Sequence, residues 1–190
     1  MSQPIVIDIE TQHSFREVNY DYSKLKISVV GLYNYTTDRY QAFRENNLND
    51  LFKIMEHASQ IIGFNIKKFD LAVLAPYYLG NLKQFEIVDI LELVEKSLGF
   101  RLSLDSIART TLGVKKSGHG FLAINYFQEG DWEKLEGYCL DDVKITKDLY
   151  DFLKKNGKLM YQAKSGVRDV RINLEDIDKK GGSISLSLPF

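Results

Sequence analysis

Ile5-Val6-Ile7-Asp8-Ile9-Glu10-Thr11 is an apolar, β-branched-rich run interrupted by two acids at alternate positions, which predicts a strand over residues 4–10. Lys24 to Thr36 alternates more loosely through Leu25, Ile27, Val29 and Leu32, and Arg39 to Arg44 is short and extended. The connections are short, so the three strands read as an antiparallel meander. From Asn49 the period becomes helical, with Leu51, Phe52, Ile54, Met55 and Ala58 on one face and Asn47 or Asn49 as the cap. Gln60 to Phe64 reads as a short strand, and Phe69 to Leu79 as a helix bent or ended by Pro76. Phe85 to Asp89 is another strand, and Leu91 to Leu98 a helix closed by Gly99. Ser103 to Leu112 is a helix between a Ser103 N-cap and a Gly113 C-cap, and Gly113 to Gly120 is a flexible loop. Asp131 to about Lys155 is the longest helix. Leu159 to Ala163 and Val167 to Leu174 pair as a hairpin around Ser165-Gly166, before a loosely held Gly- and Ser-rich tail. Three strands followed by alternating helix and strand specify an α/β fold with a mixed sheet, antiparallel at one side and parallel where helices cross over.

The 190 residues read as one domain over 1–158 with a C-terminal extension over 159–190. A net charge of −1 argues against a coating protein that holds nucleic acid by bulk electrostatics. It does not argue against a nuclease, because bound cations supply positive charge locally. Cys139 is the single cysteine, which excludes an intramolecular disulfide and any multi-cysteine zinc site. No leader pattern opens the sequence and no apolar run approaches the roughly 20 residues of a membrane span, so the expected location is cytoplasmic, with no membrane partner.

Four acids then stand out against their apolar surroundings. In a strand, alternate side chains share a face, so Ile5, Ile7 and Ile9 point one way and Val6, Asp8 and Glu10 the other. The two acids lie about 7 Å apart along the strand, a spacing that suits oxygen donors around hard cations. The alternative is an edge strand carrying two solvated acids. On the long helix the apolar stripe runs Leu135, Tyr138, Cys139, Asp142, Ile145, Leu149 and Leu153, so Asp142 falls inside it and Tyr138 sits one turn before. The Tyr138 hydroxyl there can orient a water or simply bond Asp142. Asp141 points off the stripe and reads as a surface acid. Asp70 follows Phe69 at the start of a helix, where exposed N–H groups favour an acid with or without a catalytic role. Asn65, just upstream, suits a helix cap and a substrate contact equally. Buried carboxylates must be paired or coordinate a metal, and four without evident basic partners nearby in sequence point to a divalent-metal site.

Together these residues resemble a known set. Asp8-Ile9-Glu10-Thr11 resembles the first motif of the DEDD 3′–5′ exonucleases, Asn65-x-x-x-Phe69-Asp70 the second, and Tyr138-x-x-x-Asp142 the third in its tyrosine form. The histidine form needs His where this chain has Gly137, so the sequence resembles the DEDDy branch, which includes the proofreading domains of family A and B DNA polymerases. Gly118-His119-Gly120, Glu129-Gly130 and Tyr138-Cys139-Leu140-Asp141-Asp142-Val143 are similar to the stand-alone ribonuclease H-like exonucleases, which also occur fused to helicases. Ile7 departs from the aromatic common before the first acid. The resemblance covers roughly residues 3–155 and implies a ribonuclease H-like fold with two-metal hydrolysis of single-stranded DNA or RNA to 5′-mononucleotides. It implies that Asp8, Glu10 and Asp142 hold one Mg²⁺ or Mn²⁺ ion, that Asp8, with Asp70 acting largely through water, holds the second, and that Tyr138 positions the attacking water. Ile9 and Glu10, with Thr11, then approach the terminal nucleotide, Asn65 and Phe69 line the path of the strand, and any helicase or polymerase partner acts in trans.

Other residues have plainer readings beside functional ones. His13 is a loop histidine within reach of a phosphate. Lys115, Lys116 and His119 form a basic lip or are surface charges, and Lys67 and Lys68 fall on the substrate side. Tyr77, Tyr78 and Trp132 are stacking candidates better explained by packing, and Cys139 reads as a small buried side chain. The rival functions are a non-cleaving module that binds nucleic acid or a helicase, an endonuclease of the same broad class, and an interaction domain whose acids are surface charge.

Overall fold

The computed structural model describes residues 2–115 and 121–178. Among these residues seven strands and seven α-helices follow in order: β1 Ile5–Thr11, β2 Ile27–Asn34, β3 Arg39–Arg44, α1 Leu48–His57, β4 Ile61–Gly63, α2 Asp70–Leu74, β5 Ile87–Asp89, α3 Ile90–Leu98, α4 Leu104–Leu112, α5 Phe121–Glu129, α6 Trp132–Asn156, β6 Lys158–Ala163, β7 Gly166–Arg171 and α7 Glu175–Asp178. Strands one to five form a sheet of order β3-β2-β1-β4-β5. The β1–β2 and β2–β3 pairs are antiparallel, and β4 lies parallel to both β1 and β5. This is the expected mixed sheet. β1 is its central strand; Asp8 and Glu10 lie beyond its pairing with β4 but pair with β2 and are half-buried, not solvated.

The two faces of β1 divide as alternation requires. Ile5, Ile7 and Ile9 pack with Leu51 and Met55 of α1 and with Val73 and Leu74 of α2. Val6 packs on the other side with Ile62, Val88, Val94 of α3, Ile107 of α4, and Val143 and Leu149 of α6. Asp8 and Glu10 share the Val6 face and therefore meet α6. The α6 stripe is buried as its period predicts, from Leu135 through Leu153 with Asp142 inside it. Each buried Leu or Ile contributes about 1.5–3 kcal/mol, enough in sum to carry one desolvated carboxylate.

Several boundaries differ from expectation. The helix expected over Phe69 to Leu79 is only five residues long: Ala75 still has helical backbone and bonds the Leu71 carbonyl, but Pro76 has no N–H with which to continue the ladder. Asn47 occupies the N-cap of α1 without a side-chain bond, following a 3-10 turn over Glu45–Asn47. β7 ends at Arg171, and the following residues turn into α7 instead of extending to Leu174. α5 was not expected at all: Phe121-Leu122-Ala123-Ile124-Asn125-Tyr126-Phe127 is apolar on nearly every side, so no stripe marks it as a helix. The caps at Ser103, Gly99 and Gly113 are as predicted. The β6–β7 hairpin packs on α3 and α4, and Leu159, Val170 and Ile172 join the same core as α6. Lys116 to Gly120, which includes the Gly118-His119-Gly120 segment and most of the expected basic lip, lies outside the described residues, as does the expected loose tail beyond Asp178.

Candidate active site

Asp8, Glu10 and Asp142 each offer a carboxylate oxygen, and these three atoms all lie within 4.8 Å of one another. Two come from alternate positions on the central strand and the third from the stripe of α6. Their approach depends on Gly31 of β2, opposite Asp8 in the register. A Cβ at Gly31 would lie 2.8 Å from Val143 Cγ2 and 3.0 Å from Cys139 Sγ, so only glycine lets α6 come this close to the sheet. Cys139 fills the contact. Its Sγ accepts the Gly31 N–H at 3.1 Å and lies 3.4 Å from the Asp8 carbonyl and 3.9 Å from Asp8 Oδ2. Burial, and then the charges of Asp8, Glu10 and Asp142, push the thiol well above its ordinary pKa, so it stays protonated and acts as a neutral donor beneath the acids.

Asp70 stands beside this trio, at the first turn of α2. Its side chain is 2% exposed. Burial first, and then the charge of Asp8, raise its pKa far above the usual carboxylate range; the Asp70 N–H opposes this, the charge of Asp89 adds a smaller push upward, and the Ile9 N–H a still smaller one downward. Its Oδ1 has no hydrogen-bond partner among the described residues. A buried acid with an unfilled acceptor, crowded by a second acid, suits the chemistry of a cation site, and an all-oxygen donor set suits Mg²⁺ or Mn²⁺. Tyr138 is buried one turn before Asp142, packed among Val29, Ala123, Leu135 and Cys139.

Two clefts open from the acids and share Asp8 and Asp142 as lining residues. The larger, of about 970 Å³, is lined by Ile9, Glu10, Thr11 and Phe69, by His13 to Arg16 and Tyr20 of the β1–β2 loop, and by Phe121 and Ile124 of α5. Three of the sequence-predicted substrate residues, Ile9, Thr11 and Phe69, are therefore brought together here. Thr11 also donates its hydroxyl to the His13 carbonyl at 2.9 Å, which orders the start of the β1–β2 loop. The smaller cleft, of about 460 Å³, holds the fourth, Asn65, with Phe64, Arg101 and Ser103. Asn65 adopts a left-handed φ of 67°, and its Oδ1 accepts from Arg101 at 2.5 Å. Arg101 also bonds Glu95 at 2.9 Å.

Phe69 apart, the aromatic residues of the larger cleft are not marked by the sequence. Phe15 lies 5.7 Å from Phe69 and 5.3 Å from Tyr22, with Tyr20 nearly parallel to it at 6.3 Å. Tyr20 and Phe121 are largely exposed, at 66% and 71%. Tyr20 also has a positive φ of 62°, which is costly for a bulky residue. The local signal was weak: two isolated aromatics in a polar loop carry no period. The stacking candidates Tyr77, Tyr78 and Trp132 are structural, as packing predicts. Tyr77 bonds Ile27 N–H and Glu45, Tyr78 packs on Phe52 and Phe85, and Trp132 sits under Arg44 at 4.3 Å. Lys67 and Lys68 pair with Glu92 and Glu95.

A family model described as the RNase_H superfamily matches residues 5–154. No curated protein matches the sequence. Among solved structures, the chain is similar to the family B DNA polymerase from the hyperthermophilic archaeon Pyrobaculum calidifontis, with a TM-score of 0.62 and 16% identity over 81% of this chain and 25% of that one. It is also similar to Trypanosoma brucei RNase D, with a TM-score of 0.58 and 16% identity over 80% of this chain and 57% of that one. The chain thus spans a quarter of the polymerase and just over half of RNase D, and at this identity the likeness is one of fold. Among the described residues, no helix is long and apolar enough to cross a membrane.

Proposed function

The chain belongs to the RNase_H superfamily, and we propose that within it this protein is a divalent-metal-dependent 3′–5′ exonuclease that degrades single-stranded nucleic acid to 5′-mononucleotides. The observation that carries this reading is the convergence of Asp8, Glu10 and Asp142 within 4.8 Å, beside a buried Asp70. Asp8, Glu10 and Asp142 would hold one ion, and Asp8 with Asp70 a second. When bound, Mg²⁺ or Mn²⁺ supplies Lewis acidity and charge neutralisation at a phosphoryl group. The chain does the rest. Tyr138 holds the attacking water in line. The apolar cleft takes the unpaired bases of the strand end, where Phe15, Tyr20 and Phe121 offer faces on which any base can stack. Asn65 and Arg101 flank the strand on the other side of the acids. Nothing in this arrangement requires a covalent intermediate or a histidine base.

The test is direct. Single strands of DNA and of RNA, with labelled ends, are incubated with the protein in Mg²⁺, in Mn²⁺ and in chelator. Stepwise shortening from the 3′ end that needs metal is the expected result, with a circular single strand left intact. Asp8→Ala abolishes the shortening, and Tyr138→Phe slows turnover by about 10²-fold while leaving binding within a few-fold. A protein that binds these strands without shortening them under any metal condition is a non-cleaving module, and cutting of the circle makes it an endonuclease.

A further inference from the structure

Asp89 is an acid that no motif singles out. It ends β5, is 4% exposed, and accepts four backbone N–H bonds. Two come from the first turn of α3, Leu91 at 3.0 Å and Glu92 at 3.2 Å, both to Oδ1. That half is an ordinary helix cap. The other two come from the connection between β4 and α2, some twenty residues earlier: Asn65 N–H to Oδ1 at 2.9 Å and Lys67 N–H to Oδ2 at 3.1 Å. A helix cap does not need them.

The connection it grips leads straight to Asp70. The Asn65 carbonyl accepts from Lys68 and Phe69, and the Ile66 carbonyl accepts from Leu71, so this turn is the foundation on which α2 begins. The turn is pinned from the core side as well, because Ile66 is fully buried against Gly63, where a Cβ would come within 2.7 Å of the Ile66 side chain. α2 is only five residues long and cannot hold its own orientation by length. Asn65 is in addition held in a left-handed conformation that needs surrounding contacts to persist. We infer that Asp89 is a positioning residue for the metal site: by clamping the Asn65 and Lys67 amides to the start of α3, it fixes where Asp70 stands relative to Asp8. This inference rests on the metal-site reading above.

Asp89→Ser separates the two halves of its role, because serine still caps α3 but is too short to bridge to the β4–α2 turn. The readouts are thermal melting in a Mn²⁺ titration and amide hydrogen exchange, neither of which needs substrate. The expected result is retained protection at Leu91 and Glu92, faster exchange at Asn65 and Lys67, and an increase of about tenfold in the Mn²⁺ concentration that gives half the thermal shift. In an Asp70→Asn background the same substitution should add little, since its target is already gone. Should Asp89→Ser not fold, Asp89→Asn, which keeps the Oδ1 bonds and loses the acceptor for Lys67, carries the same comparison. A wild-type Mn²⁺ response left unchanged in the variant, or an equal loss with and without Asp70, overturns the clamp alone. Absence of any Mn²⁺ response in the wild-type protein overturns the metal reading and the clamp with it.

Discussion

Burial and the neighbouring charge of Asp8 both make Asp70 hold its proton more tightly in the folded chain than in the unfolded one. The unfolded carboxyl titrates near 3.9, so as pH rises past about 4 the unfolded state releases its proton first and native stability falls toward the raised folded pKa. Asp70→Asn removes that loss. In chelator, the variant should therefore melt higher than wild type at pH 7, and the gap should close as the pH is lowered to about 4. Saturating Mn²⁺ should reverse the order at pH 7, because the ion binds the native carboxylate. Equal gaps at both pH values would separate Asp70 from the electrostatics of the site. Residues of this kind were legible when periodicity exposed them: Asp142 interrupts an apolar stripe, and Asp8 and Glu10 share one face of a strand. Asp89 was not, since an acid before a helix looks like any cap until its second pair of bonds is seen. Phe15 and Tyr20 were not, since only the fold carries their loop to the rim of the acid cluster.

The contact between β2 and α6 determines whether those acids meet. Gly31 N–H bonds Cys139 Sγ, and the space where a side chain would start is taken by Val143, Cys139 Sγ and the Cys139 carbonyl at 2.8, 3.0 and 3.2 Å. Gly31→Ala should cost about 1–3 kcal/mol by overpacking, at about 2–4 °C of melting temperature per kcal/mol for a chain of this size. It should also weaken the Mn²⁺-induced thermal shift, because relief of the clash moves the helix that carries Asp142. Val143→Ala in the same chain removes the shortest contact and should recover part of both losses. Wild-type metal response in a destabilised Gly31→Ala protein would show that helix placement and site geometry are independent. A lone glycine inside a strand gives no sign of which element presses on it, so this contact was invisible in the sequence. Elements with caps and clean periods, such as α3, α4 and α6, were readable to within a residue or two. α5 was not, because a helix apolar on nearly every side has no stripe, and its apolar surface finds its use against Tyr138 and the larger cleft.

At the scale of the whole molecule, charge sets how a strand can be held. The net charge is −1, and the cations nearest the smaller cleft are already engaged: Lys67 with Glu92, and Lys68 and Arg101 with Glu95. The larger cleft presents a mostly apolar surface through Ile9, Phe15, Tyr20, Phe69, Phe121 and Ile124, with Arg16 as the one Lys or Arg among its described lining residues. Affinity built from stacking and from a local metal site differs from affinity built on a basic track, because few counterions leave the strand when it binds. Each phosphate neutralised on a single strand contributes about −0.7 to the slope of log K against log salt. With Tyr138→Phe to slow cleavage while the metal-holding acids stay intact, Mg²⁺ held constant and monovalent salt varied, binding of a labelled oligomer should show a slope between about −0.7 and −1.4, equivalent to one or two phosphate contacts. A slope steeper than about −3 would mean that a basic surface beyond these clefts carries the strand. The mixed topology behind this arrangement follows from the order of strands and helices together with the short connections between the first three strands. The two clefts did not, because their walls come from the β1–β2 loop, the β4–α2 turn, α5 and the residues before α4, segments that meet only once β1 becomes the central strand and α6 crosses it.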